Sequence, residues 1–195
     1  MVASDTIRVA LIVAEALDAC GVRYLVGGSL ASAVSGEPRS TVGVDLVVEL
    51  TEKDVEPLMS LLGNRFHADA DVIRRAIRDR SSANVIHNAT STKVDLFICG
   101  GSPVDHEQME RRQRVKVSSD PEAWLYVYTP EDILLQKLRW YRMGNEVSER
   151  QWNDIRGIIL VQGDRLDRAY LLDKATVLRV SDLLHRALGQ VMDQV

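Results

Sequence analysis

The stretch from Tyr24 to Leu50, YLVGGSLASAVSGEPRSTVGVDLVVEL, constrains the fold more than any other part of the chain. Tyr24-Leu25-Val26 is a short apolar run closed by glycine, which predicts a buried strand. Gly27-Gly28-Ser29 turns out of that strand, and Ser29 opens a helix of small residues, LASAVS, that Gly36 and Pro38 stop. Val44 to Leu50 is rich in β-branched residues and predicts a second strand. Strand, glycine turn, short helix and strand in immediate succession commit this region to a layered architecture of helices on a sheet.

The surrounding sequence extends the pattern. Ser4 or Asp5 caps a helix running to about Cys20, with Ile7, Leu11, Ala14 and Leu17 at helical spacing and Gly21 as its stop. Thr51 caps a helix through Leu62, with Pro57 an irregularity inside it. Residues 69–80 predict another helix. ANVIHNA and KVDLFIC then form a hairpin joined by Thr-Ser-Thr, a helix covers 104–112, and RVKVS and WLYVY are strand-like. From Thr129 the texture changes. Thr-Pro-Glu-Asp at 129–132 is a helix start, Ser148, Asp167 and Ser181 begin three more helices, and Gly144 and Gly163 lie in the breaks. The expectation is an α+β core over residues 1–128, a mixed β-sheet flanked by helices, followed by a helical C-terminal part over 129–195.

Composition limits the function classes. The chain has 195 residues, 46% of them hydrophobic, enough for a core without staples. Two cysteines, Cys20 and Cys99, are too few for a disulfide framework or a cysteine-rich zinc site. The amino-terminal stretch lacks a basic start and carries Glu15 and Asp18 among its apolar residues, which argues against a signal peptide or membrane span. A cytoplasmic protein with no membrane partner is expected. A net charge of −4 excludes the overall basic character of a nucleic-acid-coating protein. Two arginine clusters, RRAIRDR at 74–80 and RRQR at 111–114, are either solvated helix faces or local phosphate contacts.

The chemistry concentrates in two strand carboxylates. Alternation along GVDLVVEL places Gly43, Asp45, Val47 and Glu49 on one face and Val44, Leu46, Val48 and Leu50 on the other. Asp95 in KVDLFIC occupies the equivalent place on a later strand. A charge in such a setting needs a partner: Arg39, Lys93 or backbone amides in a structural role, or Mg²⁺, a hard ion that takes oxygen ligands and retains substrate phosphates. The upstream Gly27-Gly28-Ser29 turn, leaving a strand and opening a helix, is suited to cradling a phosphate.

Taken together, Tyr-Leu-Val-Gly-Gly-Ser, the small helix, Gly-Glu-Pro-Arg-Ser-Thr, the strand Asp and the later Lys-Val-Asp-Leu-Phe resemble the minimal nucleotidyltransferase superfamily. More narrowly they resemble its prokaryotic group that includes abortive-infection-type proteins. Glu131-Asp-Ile-Leu-Leu-Gln-Lys-Leu-Arg-Trp-Tyr and Ser148-Glu-Arg-Gln-Trp-Asn-Asp are similar to that group's helical region. The resemblance implies a nucleoside triphosphate bound at the glycine turn and two Mg²⁺ held by an Asp-x-Asp pair and one later Asp. The ions there activate an acceptor hydroxyl for attack on the α-phosphate and neutralise the pyrophosphate. It assigns Gly27, Gly28 and Ser29 to the phosphate turn, Asp45 to the second position of the pair and Asp95 to the later carboxylate. Gly43 stands where the first Asp belongs, so the site would hold one or two Mg²⁺ only weakly. Glu49 lies about 13 Å beyond Asp45 along the strand, too far to substitute, while Glu37 precedes the strand in a loop.

Three readings follow: a weakened nucleotidyltransferase, a catalytically inactive nucleotide- or RNA-binding relative, and an interaction module such as one half of a toxin–antitoxin pair. Acceptors that suit the pattern are a tRNA end or other RNA, a protein hydroxyl or a small molecule. Lys137 shares a helix face with Tyr141 and either reaches the triphosphate or is a surface lysine. Trp140 is expected as a core anchor, Arg150 and Asp154 as structural ion-pair partners, and His87 as a satisfied, partly buried histidine.

Overall fold

The computed structural model describes residues 5–36 and 43–192. They divide into two compact units, one of Met1–Leu30 with Ser40–Val127 and the other of Ala31–Arg39 with Tyr128–Val195. Ser4, Glu37 and Arg39 lie outside the described residues.

The first unit opens with α1 (Asp5–Ala19), which buries Val9, Ala10, Val13, Ala14 and Leu17, a stripe one helical face wide. Gly21 at φ 68° redirects the chain into β1 (Tyr24–Val26), all three residues of which are buried. Then come α2 (Gly28–Ser35), β2 (Gly43–Val48), α3 (Val55–Leu62), β3 (Phe66–His67), α4 (Ala70–Asp79), β4 (Ser82–His87), β5 (Lys93–Ile98), α5 (Pro103–Arg111), β6 (Gln113–Ser119) and β7 (Glu122–Val127).

The helix expected from Thr51 onward instead begins as a 3₁₀ turn over Glu52–Asp54 and becomes α-helical at Val55. Thr51 and Asp54 make the junction, the Asp54 carboxylate accepting from Thr51 N at 2.9 Å and Thr51 Oγ1 at 2.6 Å. Restarting there places Pro57 in the first turn of α3, where a missing N–H breaks no intrahelical bond. The helix expected over 69–80 begins at Ala70, with Asp69 as its cap accepting from the amides of Asp71 and Val72.

Among the described residues the strands form one seven-stranded sheet in the order β3-β4-β5-β2-β1-β7-β6. β1 is antiparallel to β2 and parallel to β7, β2 is parallel to β5, and the β3–β4, β4–β5 and β6–β7 pairs are antiparallel. β2 is thus the central strand. Its inner residues Val44, Leu46 and Val48 and β5's Val94 and Leu96 are fully buried with Leu17, Leu58 and Ile73. The class is α+β, a mixed sheet with helices packed on it.

The second unit contains α6 (Pro130–Met143), α7 (Glu149–Gln162), α8 (Arg168–Val177) and α9 (Ser181–Met192). Thr129, Ser148 and Asp167 cap the first three by accepting from Asp132 N, Gln151 N and Tyr170 N. Its core includes Ile133, Leu134, Leu138, Ile155, Ile158 and Leu184. Trp140 departs from expectation: it is 48% exposed, and the anchor is Trp152, buried against Tyr141 with ring centroids 5.0 Å apart. Both tryptophans lie on amphipathic helices, and helix phase puts Tyr141 rather than Trp140 on the buried face. No helix among the described residues is long and apolar enough to cross a membrane.

Candidate functional site

β2 and β5 run parallel with Gly43 opposite Lys93 and Asp45 opposite Asp95. The two aspartates predicted from sequence therefore share one rung, on strands about 4.8 Å apart. Their facing results from two independent alternations: Val44 and Leu46 bury one face of β2, Val94 and Leu96 bury the same face of β5, and the acids occupy the other. Asp95 keeps 21% of its side chain exposed, and its Oδ2 accepts from Lys93 Nζ at 2.8 Å. Of the structural partners expected for these acids, Lys93 is therefore present at Asp95.

The glycine turn meets the first carboxylate. Gly27 N–H donates to Asp45 O at 2.8 Å, continuing the β1–β2 ladder beyond Val26, so this amide belongs to the sheet. Gly28 has φ 55°, and a Cβ built on it would lie 1.7 Å from Asp45 Oδ2. The Asp45 carboxylate thus fills the space a side chain at 28 would need, and only glycine fits both the conformation and the contact. Gly28 and Ser29 form the first turn of α2, whose amides point out of the helix end.

Gly43 is a different kind of glycine. It has ordinary strand geometry, and among the described residues a Cβ there would meet only Lys93 O, at 3.4 Å. Neither its conformation nor these described neighbours demand glycine. Two carboxylates on one rung are hard oxygen donors that fit a single Mg²⁺, with phosphate and water oxygens completing its shell.

Lys137 belongs to the helical unit, and its surroundings are distinctive. Its side chain is 5% exposed and donates to Asp154 Oδ2 at 2.8 Å, the carboxylate itself being 7% exposed. It is not a surface lysine, and Asp154 pairs across α6 and α7 with it. A second buried acid there, Asp132, accepts from Thr129 Oγ1 at 2.8 Å and Tyr170 Oη at 2.7 Å.

His87 reads as expected, packed on Phe66 and hydrogen-bonded to Thr90 Oγ1 at 2.9 Å. In the first arginine cluster, Arg74 pairs with Glu56 and Asp71 and Arg78 with Glu52; in the second, Arg112 lies over Tyr126 and Arg114 over Trp124. These are the contacts of solvated helix and sheet faces.

One cluster has no signature in sequence. Glu49, Cys99 and His106 bring a carboxylate oxygen, a thiol and an imidazole nitrogen within 4.8 Å of one another beyond the ends of β2 and β5. Arg23 supplies the cation here: its Nε and Nη2 donate to both Glu49 oxygens, at 2.5 Å and 3.0 Å, and Nη1 donates to Glu110. Burial, reinforced by the Glu49 and Asp105 carboxylates, pushes the Cys99 thiol up to about 11, so it sits there protonated. The residues come from four separate segments, and only the tertiary fold joins them.

No protein-family model matches the chain, and no curated protein matches it. Several solved structures are similar to it. An antigenic nucleotidyltransferase-like protein from Paracoccidioides brasiliensis aligns over 96% of this chain and 94% of that one, at 17% identity and a TM-score of 0.53. The antibiotic-resistance factor ANT(2'')-Ia aligns over 94% and 98%, at 14% identity and a TM-score of 0.55. The lincosamide antibiotic adenylyltransferase LnuA, solved with lincomycin, aligns over 80% and 96%, at 11% identity and a TM-score of 0.50. At such identities the likeness is one of architecture, and the architecture of this chain is the nucleotidyltransferase-like fold.

Proposed function

We propose that this protein binds a nucleoside triphosphate with Mg²⁺ at the Asp45–Asp95 rung and the Gly28-Ser29 turn, and that its capacity for nucleotidyl transfer is curtailed at Gly43. The observation that carries the reading is the placement of Asp45: in register with Asp95 and pressed against the helix-opening Gly28. A phosphate chain lying at the N-terminus of α2 would meet backbone amides at one end and a carboxylate-held cation at the other. A bound Mg²⁺ would polarise the phosphate oxygens; Asp45 and Asp95 would hold it, and Ser29 would add a hydroxyl donor. Gly27 contributes by fixing the turn to the sheet. Lys137 pairs with Asp154 in the helical unit, and the reading does not call on it.

The catalytically inactive relative is the second reading, and the absent side chain at 43 favours it. An interaction role within a toxin–antitoxin pair is compatible with either, since the site's chemistry does not use the helical unit's surface.

Calorimetric titration of the four nucleoside triphosphates with and without Mg²⁺ tests the proposal. Mg²⁺-dependent binding that Asp45→Asn abolishes supports it, and binding unchanged in Asp45→Asn refutes it. Transfer assays on Gly43→Asp with tRNA and with aminoglycoside and lincosamide acceptors then separate a disarmed transferase, which regains transfer, from a pure binding protein.

A further inference from the structure

The rung beside the aspartates pairs an absence with a charge. Gly43, where the resemblance calls for a carboxylate, lies directly opposite Lys93, and the Lys93 ammonium reaches down its own strand to Asp95 Oδ2 at 2.8 Å. Since 93 and 95 are two apart on a strand, as are 43 and 45, all four positions share one face of the sheet.

We propose that Lys93 is a tethered cation standing in for one of the two divalent ions, so that the site binds its triphosphate with a single ion. The inference rests on the function proposed above. Relative to a site of three carboxylates and two divalent ions, this one has lost a negative charge at 43 and gained a positive charge at 93. The change of two units is the charge of one Mg²⁺. With one ion bound, the total around the triphosphate is the same as in the two-ion arrangement. A carboxylate shared with an ammonium is also a poorer metal ligand, because the incoming ion must displace or share that ion pair. Lys93 is 53% exposed, and its long stem lets the head move from Asp95 to a phosphate oxygen without moving the strand.

The test uses two measurements on the full chain and on Lys93→Met, Lys93→Gln and Gly43→Asp, each first checked for native circular dichroism and thermal unfolding. Mn²⁺ is titrated against each protein alone by electron paramagnetic resonance, and ATP is titrated calorimetrically in the presence of a chelator. Removing the ammonium is expected to tighten Mn²⁺ at least fivefold and to weaken metal-free ATP binding at least fivefold, in both Lys93 variants. Mn²⁺ affinity unchanged or reduced in the Lys93 variants, while Gly43→Asp binds Mn²⁺ more tightly than the unaltered chain, would overturn the role of Lys93 and leave the nucleotide site standing. Failure of all four proteins to bind either Mn²⁺ or ATP would overturn the site itself, and the inference with it.

Discussion

The Asp45 carboxylate lies where a side chain on Gly28 would have to be, its Oδ2 only 1.7 Å from the ideal Cβ position. Gly28→Ala must therefore displace Asp45 and strain a φ of 55°, at an expected cost of about 1–3 kcal/mol. Gly43→Ala, with strand geometry and an ordinary contact to Lys93 O as its one described neighbour, is expected to change stability by no more than about 1 kcal/mol in either direction. Urea unfolding of the two variants side by side checks the contrast, and equal losses would mean that Gly28 is not held by Asp45.

The Lys137–Asp154 pair is buried on both sides, so removing one partner takes a close counter-charge from the other in a poorly solvated place. Asp154→Ala is expected to cost about 3–5 kcal/mol, whereas Lys137→Met with Asp154→Leu should recover most of that loss. Denaturant midpoints of the two single variants and the double variant measure the coupling. A small loss in Asp154→Ala would show that the pair is not stranded by burial.

Surface pairs should behave differently. Arg142 reaches Asp182 at 2.6 Å, but both side chains are well exposed, and Arg142→Ala is expected to change stability little, and less still in high salt. The Arg142 guanidinium holds the Asp182 carboxyl below its ordinary range, so whatever stability the pair adds is present above that range and fades as pH falls through the lowered value. Thermal unfolding from pH 7 down to pH 3, with and without Arg142→Ala, should converge at the acid end.

The two thiols should separate kinetically. Cys99 is buried with its thiol raised to about 11, while Cys20 is partly exposed and raised less far. A thiol-directed disulfide reagent at pH 8 is expected to react quickly at one site and slowly at the other, and Cys99→Ala should delete only the slow phase. Because the folded thiol titrates above its unfolded value, its contribution to stability is fully present below about pH 9 and is lost as pH rises toward 11. The unaltered chain should then lose stability more steeply than Cys99→Ala over that window.

What the sequence made legible followed from short-range rules. The helix starts at Thr129, Ser148 and Asp167, the glycine after α1 and the alternation of Val44, Leu46 and Val48 each announce themselves within a few residues. So did the chemical character of Asp45 and Asp95, because an acid in an apolar strand is conspicuous wherever it occurs. Their register was not legible, since nothing in either strand says which residue of the other it faces. β3 escaped notice because two residues carry no period, and the exposure of Trp140 depended on a helix phase that Tyr141 satisfied equally well in sequence. The Arg23, Glu49, Cys99 and His106 cluster was hidden for the same reason as the register.

The parallel alignment of β2 with β5 also dictates how the site comes into being. α3, β3, α4 and β4 all intervene between the two strands along the chain, so the aspartates meet only after those elements have been threaded and the central pairing closed. A piece of the chain ending before β5 carries the glycine turn and Asp45 yet holds no half-finished version of the pocket, and the complementary piece holds none either. Mixing the two pieces would make recovery of any nucleotide affinity a direct readout of strand insertion into the middle of the sheet.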